Sequence, residues 1–142
     1  MENTNVTRKN LPLIYACSGC SDVAQLANNA AVKLDHAGCF EMSCISGVGG
    51  KIKPLVKTAQ SGRPITVIDG CPLQCARACL ENIGVRPRRH IRLYDYGFKK
   101  HYGQSYDAET VDAVCQLVLR GQLSDDVEQK SVAPIKERTH DD

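Results

Sequence analysis

The sequence predicts a single three-layer α/β domain, with a four-stranded, mainly parallel sheet in flavodoxin/Rossmann-like order. Three observations lead there. Four short apolar, strand-like runs alternate with stretches of helical periodicity, the pattern of strand–helix crossovers. Pro, Gly and Ser punctuate nearly every changeover. The 142 residues, 42% of them hydrophobic and 24% charged, make one ordinary domain that can bury its own core without cross-links.

The first strand is the apolar run from Leu11 to Ala16, ending at Cys17. A helix follows, with Ser21 as cap, Val23, Leu26, Ala27, Ala30 and Leu34 recurring at helical spacing, and Gly38 as stop. Cys39 to Cys44 reads as a second strand, interrupted by Glu41. The glycine-rich Gly47-Val-Gly-Gly50 reads as a tight turn, leading to a short helix from Pro54 to Ser61-Gly62. Pro64 to Asp69 is a β-branched third strand that stops at Gly70. A helix starting near Pro72 buries Leu73, Ala76, Leu80 and Ile83 and ends at Gly84. Ile91 to Tyr94 forms the fourth strand, and Asp107 to Arg120 the last helix, with Val111, Val114, Val118 and Leu119 inward.

Residues 1–10 read as a flexible N-terminus and 11–123 as the folded domain. The last stretch, 124–142, reads as a disordered, charged tail, with six acidic against three basic side chains. The chain as a whole carries +2, too little to call for a nucleic-acid or membrane partner. No secretory signal core and no run of transmembrane length is visible. The expected setting is the cytoplasm, where thiols stay reduced and recurring cysteine pairs serve metal or redox chemistry rather than bridges.

Right-handed crossovers put the carboxyl end of every parallel strand on one edge, where open sheets bind ligands. Five of the eight cysteines fall at strand ends expected there: Cys17, Cys20, Cys44, Cys71 and Cys75. A second-first-third-fourth strand order makes the first and third strands neighbours. Cys17-x-x-Cys20 and Cys71-x-x-x-Cys75 then flank one crevice, with Cys44 beside it. Zinc takes about four ligands and accepts thiolates, and two such pairs complete a four-sulfur set. Cys39 and Cys115 read as packing residues, as does Cys79 on the border of its helix's buried stripe.

The residues around these cysteines resemble the DGC-domain family, whose members are proposed to bind zinc. The resemblance rests on Cys17-Ser-Gly-Cys-Ser-Asp22, on Met42-Ser-Cys44 with its glycine loop, and on Ile68-Asp-Gly-Cys-Pro-Leu-Gln-Cys75, and it spans Leu11 to Tyr106. It implies a small domain in which four cysteines chelate zinc, with no biological role attached. Cys17, Cys20, Cys71 and Cys75 are the ligand candidates, and Cys44 is a fifth thiol, a ligand or a free neighbour.

Other features carry blander readings. Gly47-Val-Gly-Gly-Lys51 matches neither the phosphate-loop nor the dinucleotide glycine pattern. Asp69 suits a supporting acceptor beside Cys71, or a turn. Arg86-Pro-Arg-Arg-His-Ile-Arg92 reads as a solvated loop at the far sheet edge. Tyr94, Tyr96, Phe98, Tyr102 and Tyr106 leave the cysteine edge and suit a lid or an anchored loop, with His101 a surface residue or an added ligand.

The functional expectation is a cytosolic zinc-binding protein with a metal ion as its one identifiable partner. Two alternatives use the same residues: a thiol-redox or persulfide-transfer enzyme working through Cys17 and Cys20, and an iron–sulfur protein.

Overall fold

The structure, a computed structural model, describes residues 8–131, with side chains described through Gly121. In chain order it contains β1 (Leu13–Ala16), α1 (Asp22–His36), β2 (Glu41–Met42), α2 (Ile45–Gly49), α3 (Lys53–Ala59), β3 (Ile65–Asp69), α4 (Cys75–Glu81), β4 (Arg89–Arg92), a 3-10 turn (Leu93–Tyr96) and α5 (Ala108–Ser131). The sheet order is β2-β1-β3-β4, and every pairing is parallel. Leu13 lies against Ile65 and Ala16 against Ile68. Asp69 lies against Arg92. The carboxyl ends of β1 and β3 are therefore adjacent, as the sequence predicts.

Side chains alternate across the strands and build a core on each face. Ile14, Ala16, Ile68 and Ile91 pack on one side with Leu26, Ala27, Ala30 and Leu34 of α1 and with Val111, Val114 and Val118 of α5. Leu13, Tyr15, Ile65 and Val67 pack on the other with Val48, Ala59, Ala76 and Leu80. Cys115 joins the first core, its thiol donating to the Ala30 carbonyl at 3.5 Å. Half-buried Cys39 packs against the same core.

Several elements differ from the sequence expectation. The second strand shrinks to Glu41–Met42 at the sheet edge, where Glu41 pairs with Arg63 at 2.8 Å instead of being buried. Gly47 to Gly49 belong to a helical turn, not a loop. A Cβ on Gly47 would stand 2.0 Å from Leu55 Cδ1, so its lack of a side chain seats α2 on α3. β4 begins at Arg89, two residues before the predicted start, because Thr66 and Val67 pair with Arg89 and His90. The chain turns into a 3-10 helix from Leu93. Two of the four arginines, Arg89 and Arg92, thus lie in a strand, with Arg89 donating to the Val118 carbonyl at 3.1 Å.

The last helix continues past Arg120 to Ser131, into the stretch expected to be tail. Gln122, Leu123, Glu128, Gln129 and Lys130 favour helix, and the next proline is Pro134. The rest of the expected tail, residues 132–142, and residues 1–7 of the expected N-terminus lie outside the described residues. Among the described residues, no helix is long and apolar enough to cross a membrane.

Candidate functional site

Cys17 leaves β1 still attached to the sheet, its amide donating to the Ile68 carbonyl at 3.1 Å. Its Sγ accepts from the Gly70 amide at 3.2 Å. The next three residues turn outward, so Cys20 is exposed. Ser21 caps α1, accepting from Ala24 at 3.3 Å. Gln25 of that helix reaches back to the Ser18 and Gly19 carbonyls at 3.2 and 2.9 Å. The Cys-Ser-Gly-Cys loop is therefore braced by the helix it precedes.

The Asp-Gly-Cys triplet follows β3. Asp69 is 1% exposed and lies too deep to face solvent. One of its carboxylate oxygens accepts from Ala76 N at 2.9 Å, and the other from Arg77 N at 3.2 Å and His90 Nε2 at 2.7 Å. It satisfies two of the free amides at the start of α4. Gly70 passes α1 so closely that a Cβ would stand 2.5 Å from the Val23 carbonyl oxygen. Half-buried Cys71 comes next, with Lys100 Nζ 3.8 Å from its sulfur.

The helix expected from Pro72 begins at Cys75 instead. Gln74 takes a left-handed conformation, with φ of 56°, and this swing ends the Pro72-Leu73-Gln74 turn before helix can start. Leu73, expected in the core, is left exposed. Cys75 is exposed at the first helical position, and Cys79 stands one turn later, half-buried. A Cβ on Gly49 would be 3.1 Å from Cys79 Sγ, so the glycine-rich segment does bring backbone close to a thiol.

These loops enclose a cavity of about 460 Å³ at the carboxyl edge of the sheet. Cys17, Cys20, Cys71, Cys75 and Cys79 all contribute to its wall, with Asp69 and Lys100. Four of the five predicted cysteines thus share one cavity. Cys44 immediately precedes α2, makes no side-chain capping bond and is exposed; its neighbours Ile45 and Ser46 line the cavity, whereas Cys44 does not. Cys79 packs against the second core, as expected, and also lies on the wall. Its i, i+4 spacing from Cys75 was the available signal.

Burial pushes the Cys17 thiol up to about 12, and Asp69, Cys71 and Cys75 push the same way against the Gly70 amide. Burial, then Cys75 and Asp69, also raise Cys79. Both shifts favour the protonated thiol. The donor set suits a thiophilic cation in kind: four thiols on two loops, over a buried carboxylate. Among the described residues, however, no three Cys, His, Asp or Glu side chains stand together as a ready-made metal cage. Closure around an ion therefore requires side-chain movement.

The aromatic segment does cover part of the cavity, through Tyr102 and Lys100. It is pinned by Asp22, a residue given no role by the sequence pattern. Buried Asp22 accepts from the His101 amide at 2.6 Å and bonds His101 Nδ1 at 2.8 Å, and its own amide donates to the His101 carbonyl at 2.9 Å. His101 is therefore a clamp. Tyr94 braces the turn before α4, its hydroxyl accepting from Gln74 Nε2 at 3.2 Å.

The model of the DGC domain matches residues 13–118 of this chain. A protein of Pseudomonas aeruginosa called the anaerobic and virulence modulator AnvM is 54% identical over 102 residues, covering 72% of this chain and 78% of that relative. No solved structure matches.

Proposed function

This chain belongs to the DGC-domain family, and from that premise we propose that it is a cytosolic thiolate metal-binding protein, taking zinc through Cys17, Cys20, Cys71 and Cys75. The observation that carries the reading is the presence of those four thiols on the wall of one cavity at the carboxyl edge of the sheet. Bound there, zinc would stabilise the deprotonated sulfurs and tie two loops together. The chain's own residues prepare the ligands. Gln25 holds the first loop, Asp69 fixes the start of α4, and the Gly70 amide faces Cys17. Cys44, outside the wall, is left free. The relative's name, a modulator linked to anaerobic conditions, is compatible with thiols that bind metal only while reduced.

Exposed Cys20 beside half-buried Cys17 supports a second reading, dithiol exchange with Cys20 attacking and Cys17 resolving. Anaerobic purification followed by metal analysis, visible spectrum and thiol titration separates the two. The metal reading expects a colourless protein with about one zinc. Zinc should be lost in Cys71→Ser and kept in Cys39→Ser and Cys44→Ser. Equal retention in all three refutes this ligand set. Metal-free protein with a rapidly titrating pair supports exchange, and brown protein with iron and sulfide supports a cluster.

A further inference from the structure

We propose that the same cavity binds a small organic anion, its charged group held at the rim by Lys100 and its apolar body lying against Leu73, Ile45 and Ala24. This goes beyond metal binding and does not depend on it. A volume of about 460 Å³ falls within the range of small-molecule sites, roughly 300–1,000 Å³. An ion with sulfurs at about 2.3 Å needs only the space among them, so most of the cavity would remain.

Beyond the thiols the wall is mainly apolar, with Ala24, Ile45, Leu73 and Ala76 lining it beside the smaller polar Ser18, Ser21 and Ser46. Among the described residues, Leu73 and Tyr102 are 71% and 64% exposed, and both stand on this wall. A ligand lying against them would remove apolar surface from water. The cation is pre-positioned. Lys100 and Tyr102 flank His101, which Asp22 holds at its amide, carbonyl and ring. Tyr106 braces the same segment by donating to the Lys99 carbonyl at 2.8 Å and meeting the Phe98 ring edge-on. Lys100 Nζ lies 5.4 Å from the Tyr102 ring centre, and among the described residues no carboxylate stands within ion-pair distance of it. A cation already held in place loses little freedom on binding.

The ligand's orientation follows from charge. The carboxylate of Asp69 lies at the buried floor, satisfied by two amides and His90. An anion therefore points its charge outward to Lys100 and its apolar part inward.

The test titrates the reduced, full-length chain with fluorescent anilinonaphthalenesulfonate and with neutral phenylnaphthylamine, both as purified and after chelator treatment. One saturable anion site is expected in both preparations. Lys100→Gln should weaken it about fivefold or more at low salt and Lys100→Arg should restore it, while Lys99→Gln stays within about twofold. The neutral probe should bind more weakly and ignore Lys100→Gln. Equal losses in Lys99→Gln and Lys100→Gln, equally tight neutral binding, or binding only after chelation would overturn the proposal. Circular dichroism confirms that each variant folds. Zinc content is read separately, so lost metal with intact probe binding counts against the metal reading alone.

Discussion

At the scale of single residues, the thiols are distinguished by what surrounds each sulfur. Cys17 is raised to about 12 chiefly by burial, whereas Cys20, Cys44 and Cys75 are exposed. On the reduced protein stripped of metal, iodoacetamide at pH 8, followed by peptide mass mapping, should label those three first and Cys17 and Cys115 at least about tenfold more slowly, since reaction needs an accessible sulfur. Early labelling of Cys17 would contradict its placement. The glycine of Asp69-Gly70-Cys71 serves packing: the Val23 carbonyl occupies the space of a side chain. Backbone cannot rotate away as a side chain could, so Gly70→Ala should cost about 1–3 kcal/mol, read from the urea midpoint. An unchanged midpoint would refute the close approach.

Among the elements, what the sequence revealed depended on whether the signal was periodic or conformational. Strand β3 announced itself through Ile65, Val67 and Ile68, and α1 through its spaced apolar residues with Ser21 as cap. The start of α4 departs from the sequence pattern, in which Pro72 and apolar Leu73 imitate a first helical turn. What stops them is the left-handed backbone at Gln74, which no side-chain pattern reports. Lys51 is a second residue in that region, with φ of 59°, joining α2 to α3. Its side chain is exposed, so Lys51→Gly should relieve strain and stabilise the protein by up to about 1 kcal/mol. Equilibrium denaturation would show a higher midpoint; a lower one would mean the lysine side chain contributes more than its backbone costs.

For the molecule as a whole, two buried or half-buried carboxylates tie distant segments to α1. Burial raises Asp22, but the His101 amide and ring bonds outweigh it and hold the carboxyl below its usual range. The Arg8 guanidinium does the same for Asp35, whose carboxylate also accepts from the Met42 amide at 2.8 Å. A depressed folded pKa contributes stability above the ordinary carboxylate value of about 4 and loses it as pH falls through the lower, folded value. Denaturant midpoints should therefore fall below about pH 5, and Asp22→Asn should flatten part of that fall. A variant with the wild-type pH profile would exclude Asp22 from the effect. These ties were not legible in the sequence, because Asp22 and His101 are far apart in the chain and neither belongs to a periodic pattern. The convergence of the cysteines was legible, because alternating strands and helices dictate a common edge.

The pairing of Leu13 with Ile65 and of Ala16 with Ile68 has a consequence for synthesis. Cys17 and Cys71 become neighbours only when β3 docks beside β1, which closes a long loop and is an intrinsically slow kind of contact. A chain still emerging from the ribosome therefore carries Cys17, Cys20, Cys39 and Cys44 before Cys71 exists to join them. The chain is therefore open to mispairing under oxidant from the time of its synthesis.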